Sequence, residues 1–267
     1  MAIDPSAEIH PTAVIEPGAS IGPGCRVGPY CVIGPEVELA AGVQLHSHVV
    51  IAGITRIGEA TQIFPFAALG TVPQDLKYAG ERTELVIGAR NRIREYATMS
   101  PGTAGGGGVT RIGDGGLFMM HTHIGHDCQV GNGVIMSNCA TLAGHCVAED
   151  NAILGGMVGV HQFVRIGRGA MIGGMSGVVA DVIPHGLVAG ERAHLAGLNL
   201  VGLKRRGVPR AEITELRAAF DAMFHGQGTF QDRIATVADR FSDNALVAEI
   251  IRFVNSETTR SFTLPPD

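Results

Sequence analysis

The chain has 267 residues, of which 45% are hydrophobic and 17% charged, a balance that excludes an intrinsically disordered protein. Its formal net charge of −5 argues against general affinity for nucleic acid, so we expect no nucleic-acid partner. No stretch of about 18 apolar residues and no export signal are visible, so we expect a cytoplasmic protein without a membrane span.

From its N-terminus the sequence repeats every six residues. An apolar residue recurs at this spacing twelve times in succession, and a second small or apolar residue follows four places after most of them. A hexapeptide repeat of this kind is typical of a parallel β-helix, in which each hexad forms one short strand. The twelve positions are Ile3, Ile9, Ile15, Ile21, Val27, Ile33, Leu39, Leu45, Ile51, Ile57, Ile63 and Leu69.

Two segments interrupt the rhythm and are predicted to be loops. The first covers about residues 71–86, and the second is the glycine-rich stretch at about 101–109. The repeat then continues without a slip from Ile112 to Val178. Loops that leave a regular scaffold often carry function, so both insertions are candidate parts of a site.

A different pattern follows Pro184 and predicts a helical cap. From Pro209 the apolar residues recur with the helical period, and we expect three helices before a loose tail after Ser256. The predicted helices begin at about Pro209, Phe230 and Ala245. The predicted architecture is therefore mainly β, with a parallel β-helix over residues 1–184 and a C-terminal helical domain over 185–267.

Four histidines are predicted to share one edge of the solenoid. With three hexads to a coil, a shape supplied by the family resemblance given below, residues 18 apart stack directly. His145 lies one coil beyond His126, His161 lies nearly two coils beyond it, and His123 precedes it by three residues. Imidazoles titrate near neutral pH and suit general-base catalysis, so this band is the predicted site.

Two enzyme classes fit such a histidine edge. In one, histidines bind zinc between subunits and activate water, as in a hydratase of the carbonic-anhydrase type. In the other, a lone histidine deprotonates a hydroxyl that attacks a thioester. Zinc ligands should converge on one level, whereas these histidines are spread along the edge, which favours the second class. A non-catalytic solenoid with surface histidines is a third alternative.

A basic segment, GLKRRG at residues 202–207, lies between the solenoid and the helical cap. Three adjacent positive charges stand out in a chain that is acidic overall. They are either a solvated charge run or an anion site for phosphates or for an acidic carrier protein. Their spacing alone does not decide between these alternatives.

Several motifs of this chain resemble those of the UDP-N-acetylglucosamine acyltransferase family, which takes the first step of lipid A biosynthesis. The resemblance covers about residues 3–260, nearly the whole chain. The motifs are PQDLKYAGE (73–81), RNRIRE (90–95), HIGHDCQVGNGVIMSNCATLAGH (123–145), GVHQF (159–163) and GLNLVGLKRRG (197–207).

The resemblance implies a fold, an assembly and a reaction. The β-helix should be left-handed, against the usual right-handed crossover rule, and the protein should be a homotrimer with sites between neighbouring prisms. The enzyme should move an (R)-3-hydroxyacyl group from acyl carrier protein to the glucosamine 3-hydroxyl of UDP-N-acetylglucosamine. Because a thioester is already activated, no cofactor and no metal are expected.

The resemblance also implies residue roles. His126 corresponds to the general base, Asp127 to its acidic partner, and Gly144 to the backbone N–H donor that stabilises the oxyanion. Residues expected to bind the substrates are Gln74, Asp75, Lys77, His123, His145, His161, Gln162, Asn199, Arg205 and Arg206. Residues expected near the acyl groove are Gly174, Met175 and Arg192. The sequence departs from the family pattern at Ser100, Val201 and Arg192, which bears on substrate contacts and on acyl-chain length.

Overall fold

A computed structural model describes residues 2–266 of the chain. Within these residues there are 29 short strands, of which β1–β28 wind into a left-handed parallel β-helix and β29 adds to it as an antiparallel strand, and four α-helices follow. The predicted fold class, a left-handed β-helix of hexapeptide repeats with a C-terminal helical cap, is confirmed. No helix among the described residues combines the length and apolar character needed to cross a bilayer.

The strands form three sheets, which are the three faces of a prism. Face A comprises β1 (Ala2–Ile3), β4 (Ser20–Ile21), β7 (Val37–Leu39), β10 (Ile54–Ile57), β13 (Glu84–Ile87), β16 (Val109–Ile112), β19 (Gln129–Val130), β22 (Val147–Ala148) and β25 (Arg165–Ile166). Face B comprises β2 (Glu8–Ile9), β5 (Arg26–Val27), β8 (Gln44–Leu45), β11 (Gln62–Ile63), β14 (Arg92–Ile93), β17 (Leu117–Phe118), β20 (Ile135–Met136), β23 (Ile153–Leu154), β26 (Met171–Ile172), β28 (Gly186–Ala189) and β29 (His194–Leu198). Face C comprises β3 (Val14–Ile15), β6 (Val32–Ile33), β9 (Val50–Ile51), β12 (Ala68–Leu69), β15 (Thr98–Met99), β18 (His123–Ile124), β21 (Thr141–Leu142), β24 (Gly159–Val160) and β27 (Gly177–Val178).

Strand pairing follows the repeat length. Within a face, parallel neighbours pair residues 18 apart, as in Ile3↔Ile21 and Val130↔Ala148. The separation rises to 30 for Ile57↔Ile87, because the first insertion lies between them. Because the paired strands of successive coils are hydrogen-bonded neighbours, the coils lie about 4.8 Å apart. The apolar residue of each hexad points into the prism.

Both insertions leave the prism between face C and face A. The first runs from the end of β12 to Glu84, where β13 begins. This strand takes in residues 84–86, which the sequence pattern assigned to the loop, because Leu85 and Ile87 both point inward and are buried. The second insertion runs from Ser100 to Gly108 and contains a short 3₁₀ turn.

Four helices make up the C-terminal cap: α1 (Leu200–Arg205), α2 (Arg210–His225), α3 (Phe230–Arg240) and α4 (Ala245–Asn255). The side chain of Thr229 caps α3 by accepting a hydrogen bond from the Asp232 N–H. Asn244 caps α4 in the same way. The three longer helices match the predicted ones. The sequence pattern did not predict α1, which is a single short helix, or the antiparallel hairpin of β28 and β29.

The segment after α4, residues 257–264, was expected to be loose, and the structure corrects this. We call it the C-terminal tail. Asp181 donates its N–H to the carbonyl of Ser261 and accepts from the N–H of Thr263, both at 2.8 Å. Because these hydrogen bonds tie the tail to the last coil, its position is defined by the prism.

The predicted division into a β-helix over 1–184 and a helical domain over 185–267 stays a proposal. Its outer limits, Met1 and Asp267, lie outside the described residues. β28 still pairs in parallel with β26, so face B continues past residue 184 before the chain reaches α1.

Candidate active site

The prism has three edges, and the candidate residues occupy them unequally. We call the turn between face C and face A the histidine edge, which carries Asp127, His145 and Phe163 in successive coils. Both insertions leave the prism along this same edge. A second edge, between face B and face C, is called the apolar edge, and its eight successive exposed residues are Tyr30, His48, Phe66, Tyr96, His121, Cys139, Met157 and Met175.

His126 and Asp127 form a buried pair on the histidine edge. Nδ1 of His126 lies 2.8 Å from Oδ2 of Asp127. Because a carboxylate only accepts, Nδ1 carries the proton, and Nε2 presents its lone pair. His126 is only 8% exposed and Asp127 only 5%. The hydrogen bond between them, rather than solvent, therefore determines which ring nitrogen of His126 carries the proton. A neutral imidazole with a free Nε2 can take a proton from a substrate hydroxyl.

The glycine-rich insertion clamps the Asp127 carboxylate. Thr103 donates its backbone N–H to Oδ1 at 2.9 Å and its hydroxyl to Oδ2 at 2.6 Å. Gly106 lies so close that a Cβ added there would overlap the carboxylate. Burial acts to raise the pKa of Asp127, but the hydrogen bonds from Thr103 and His126 outweigh it and hold the pKa below its ordinary value. The carboxylate is therefore ionised and fixed in direction.

Gly144 lies against the ring of His126, one coil further on. A Cβ at this position would lie 2.5 Å from Nε2 of His126, which is closer than van der Waals contact allows. Only glycine leaves room for the imidazole here. Among the hydrogen bonds of the described residues, the N–H of Gly144 serves as donor in none. A backbone donor and the basic nitrogen therefore lie side by side.

His145 and His123 flank the pair. The rings of His145 and His126 meet edge to face with centroids 4.8 Å apart, and His145 stacks on Phe163 at 4.4 Å. Nδ1 of His123 lies 2.8 Å from the hydroxyl of Thr98. Burial lowers the pKa of both His123 and His145, so both rings are neutral at neutral pH.

The first insertion brings opposite charges towards His145. The carboxylate of Asp75 acts to raise the pKa of His145 and the ammonium of Lys77 acts to lower it, so both lie within electrostatic reach of that ring. Oδ1 of Asp75 accepts the N–H of Lys77 at 3.0 Å, which shapes the loop. The side chain of Gln74 is exposed beside them.

His161 and Gln162 lie one coil beyond His145 and are exposed. The carbonyl of His161 accepts a hydrogen bond from the thiol of Cys146, which holds the backbone of this turn. Nδ1 of His161 lies 2.9 Å from a guanidinium nitrogen of Arg260, in the C-terminal tail. His126, His145 and His161 thus lie in successive coils, as predicted, and the C-terminal tail contacts the last of them.

Three predicted nucleotide-site residues lie at the junction with the cap. Asn199 is buried, caps α1 through its Oδ1 and donates from Nδ2 to the carbonyl of Gly169 at 3.0 Å. A guanidinium nitrogen of Arg206 lies 3.2 Å from Nδ1 of His185. Arg205, at the last position of α1, is exposed. Of these three, Arg205 and Arg206 present charge at the surface, while Asn199 is occupied in holding the junction.

The three residues expected near the acyl groove do not lie on the histidine edge. Gly174 and Met175 form a turn of the apolar edge, where both are exposed. Arg192 lies in the turn between β28 and β29 and forms a bridge with Gly177. The structure therefore separates the acyl-groove candidates from His126 by one face of the prism.

Sequence reasoning missed two residues that contact the site. Thr103 was the one residue of the glycine-rich segment with a hydroxyl, which is a weak signal for a clamp. Arg260 offered no signal, because 99 residues separate it from His161.

His126, Asp127 and His145 also form the one group of metal-ligating side chains found among the described residues, with donor atoms within 4.8 Å of one another. However, Asp127 already accepts three hydrogen bonds, and Nδ1 of His126 is taken by Asp127. The donor set left for an ion is two imidazoles, which falls short of the three protein ligands of a catalytic zinc site.

Comparisons with known proteins cover the prism and the cap together. A family model described as bacterial transferase hexapeptide matches residues 3–39 and 18–53, and one described as UDP N-acetylglucosamine O-acyltransferase, domain 2, matches residues 181–263. The acyl-(acyl-carrier-protein)–UDP-N-acetylglucosamine O-acyltransferase of Paracoccus denitrificans is 61% identical over 203 residues, which are 76% of this chain and 77% of that protein.

Two solved structures extend the likeness to the fold. A crystal structure of a UDP-N-acetylglucosamine acyltransferase superimposes with a TM-score of 0.93 and 41% identity, covering 97% of this chain and 100% of that one. The UDP-N-acetylglucosamine acyltransferase from Campylobacter jejuni gives a TM-score of 0.92 at 37% identity, with the same coverage.

Proposed function

Because this chain belongs to the family of UDP-N-acetylglucosamine O-acyltransferases, we propose that it moves an acyl group from acyl carrier protein to UDP-N-acetylglucosamine. The acyl group is an (R)-3-hydroxyacyl chain, the acceptor is the 3-hydroxyl of the glucosamine, and the reaction is the first step of lipid A biosynthesis. The observation that carries this proposal is the His126–Asp127 pair, which presents a basic nitrogen beside an unused backbone donor.

In the proposed reaction His126 is the general base. Its Nε2 takes the proton of the sugar hydroxyl while the oxygen attacks the thioester carbonyl carbon. The tetrahedral intermediate carries its negative charge on the former carbonyl oxygen, and the N–H of Gly144 donates to it. Collapse breaks the carbon–sulfur bond, and the proton passes from His126 to the departing thiolate. Asp127 stabilises the imidazolium during the step and holds its orientation.

The contribution of each catalytic group to the rate has a typical size. A positioned general base typically contributes on the order of 10²–10⁴-fold, and one oxyanion donor on the order of 10²–10³-fold. Acyl transfer from a thioester needs no metal in this scheme. A zinc-dependent hydratase is not proposed, because no finding favours it and the histidine edge offers too few free ligands.

The remaining candidates are proposed to bind substrate. Gln74, Asp75 and Lys77 would contact the sugar and the acyl-pantetheine arm, since Asp75 and Lys77 lie near His145. His123, His145, His161 and Gln162 would line the sugar-nucleotide site. Arg205 and Arg206 would meet phosphates or the acidic carrier, and Asn199 would shape that end of the site by capping α1.

We propose that the protein is a homotrimer. A prism is rigid, so residues on different edges of one chain cannot line one groove. If Gly174 and Met175 hold the acyl chain near His126, the apolar edge of one subunit must face the histidine edge of the next. The exposed rings and thioethers of the apolar edge are the kind of surface that association buries.

The first test is to incubate the protein with UDP-N-acetylglucosamine and 3-hydroxyacyl carrier proteins of several chain lengths and to weigh the products. We expect a mass gain of one hydroxyacyl group on the sugar nucleotide. His126→Ala should lower the rate by roughly 10²-fold or more without changing the assembly. The exposed His10→Ala is the matched control and should retain full activity. Near-normal turnover by His126→Ala would refute the mechanism.

A further inference from the structure

The C-terminal tail reaches the histidine edge from the far end of the chain. The hydroxyl of Thr258 donates to Oδ2 of Asp181 at 2.7 Å, and Leu195 donates its N–H to the carbonyl of Leu264 at 2.9 Å. Phe262 packs against the hydrophobic core between these two anchors. The tail is therefore held on both sides of Arg260, whose backbone N–H also donates to the hydroxyl of Thr258 at 3.0 Å.

Arg260 uses this position to contact His161. One guanidinium nitrogen lies 2.9 Å from Nδ1 of the imidazole. Arginine has five N–H donors and no acceptor, so Nδ1 of His161 must be the acceptor. The carbonyl of Gln162 lies 3.3 Å from the same Nδ1, but it receives no proton from a nitrogen that is accepting. This contact therefore selects the tautomer of His161 that carries its proton on Nε2.

His126 and His161 thus have opposite tautomers, and opposite charges set them. The Asp127 carboxylate places the proton of His126 on Nδ1 and leaves Nε2 as a base. The Arg260 guanidinium places the proton of His161 on Nε2 and makes that nitrogen a donor. The histidine edge therefore offers one nitrogen that takes a proton and, two coils further on, one that gives a hydrogen bond.

We propose that Arg260 is a positioning residue that fixes His161 as a hydrogen-bond donor to an oxygen of the sugar nucleotide. This rests on the proposed function, in which His161 lines the sugar-nucleotide site. Arg260 acts through His161, so its loss weakens sugar-nucleotide binding and leaves the chemical step at His126 intact. The contact itself is partly exposed, so it contributes little to folding stability.

The kinetic test uses Arg260→Met, which keeps an unbranched apolar stem and removes every donor. We expect its KM for UDP-N-acetylglucosamine to rise roughly tenfold, while kcat and the KM for the acyl carrier stay unchanged. Arg260→Lys keeps a charged donor and should restore most of the affinity. Arg217→Met, on the exposed face of α2, is the control and should behave as the unsubstituted protein.

A double-mutant cycle separates action through His161 from direct contact with substrate. In a His161→Phe background, Arg260→Met should have no further effect on KM. Additive losses would overturn the proposal, because they would show that Arg260 acts independently of the imidazole. An unchanged KM in Arg260→Met alone would overturn it as well.

A second readout does not depend on the acyl-transfer reaction. Long-range ¹H–¹⁵N spectra of histidine-labelled protein at mildly alkaline pH report which ring nitrogen carries the proton. We expect His161 to be protonated on Nε2, and Arg260→Met to give a mixture of tautomers. A His161 protonated on Nδ1 in the unsubstituted protein would sink the inference about Arg260 alone, whereas absence of acyl transfer by that protein would sink the proposed function.

Discussion

Single atoms decide what each imidazole of the histidine edge can do. The partner of Nδ1 is a carboxylate for His126, a hydroxyl for His123 and a guanidinium for His161. The same residue type therefore provides a base in one coil and a donor in another. This difference cannot be read from the number of histidines, because it depends on the side chain that reaches each ring.

Thr103→Val tests the clamp at this scale. The substitution keeps the shape of the side chain and the backbone N–H but removes the hydroxyl that donates to Asp127. We expect kcat to fall roughly tenfold, since one hydrogen bond to a charged group is lost, with little change in either KM. Steady-state kinetics of the acyl-transfer reaction would measure this loss.

The same variant has a predicted pH signature. With one fewer donor, the pKa of Asp127 should move upward from its lowered position, so the acid limb of the pH–rate profile should shift to higher pH. Thr103→Ser keeps the hydroxyl and should restore both rate and profile. A Thr103→Val enzyme with full kcat would show that the backbone N–H alone positions the carboxylate.

At the scale of elements, the strands of the prism are alike. The segments that contact the site residues are the glycine-rich insertion and the C-terminal tail, which lie outside the repeat. Each hexad repeats the same turn, strand and inward side chain, so no coil is chemically special by its backbone. The glycine-rich insertion reaches the Asp127 carboxylate because Gly106 allows the approach. The C-terminal tail reaches His161 because Asp181 anchors it.

Asp181→Asn tests the anchor of the tail. Oδ2 of Asp181 accepts from Arg165 at 2.7 Å and from Thr258 at 2.7 Å, and Asp181 is completely buried. Replacing the carboxylate leaves Arg165 without its counter-charge, so we expect the free energy of unfolding to fall by about 3 kcal/mol. Hydrogen exchange over residues 257–264 should also accelerate, because the tail loses an attachment.

The exposed Asp221→Asn in α2 is the matched control for that experiment and should change neither quantity. Exchange that remains slow in the tail of Asp181→Asn would mean that Phe262 and the backbone hydrogen bonds suffice to hold it.

At the scale of the whole molecule, the candidate residues are divided between edges. His126 and Asp127 lie on the histidine edge, whereas Gly174 and Met175 lie on the apolar edge. Five rings of the apolar edge, from Tyr30 to His121, contact one another along successive coils, and the last four of them are stacked. A stiff, exposed apolar ridge next to an incomplete site is what a trimer with shared sites requires.

Met157→Asp tests that assembly. Met157 is 62% exposed in the single chain, so a charge there is harmless to a monomer. In a trimer the carboxylate would be buried without a partner, which costs several kcal/mol and should shift the assembly towards monomers with loss of activity. Light scattering after size exclusion measures the mass. Ala218→Asp, on the exposed side of α2, should leave both mass and activity unchanged.

The amino-acid sequence by itself determined a solenoid of stacked short strands, and the resemblance of its motifs supplied the three-sided shape. A six-residue rhythm is local, and each inward position repeats the same burial, so the coils, the two insertions and the three longer helices were predictable. The resemblance of short motifs also identified His126, Asp127 and Gly144 as candidates. The pattern did not predict α1 or the hairpin of β28 and β29, because both are short and are held by their neighbours rather than by periodicity.

Only the tertiary structure decided which side chain faces each ring nitrogen. Thr103 reaches Asp127 across 24 residues, and Arg260 reaches His161 across 99. Neither contact joins two positions of the repeat, since Thr103 and Arg260 belong to segments that leave the regular coils and return to their surface. A hydrogen bond depends on tenths of an ångström and on direction, and these are set by packing around the whole prism rather than by the residues next in sequence.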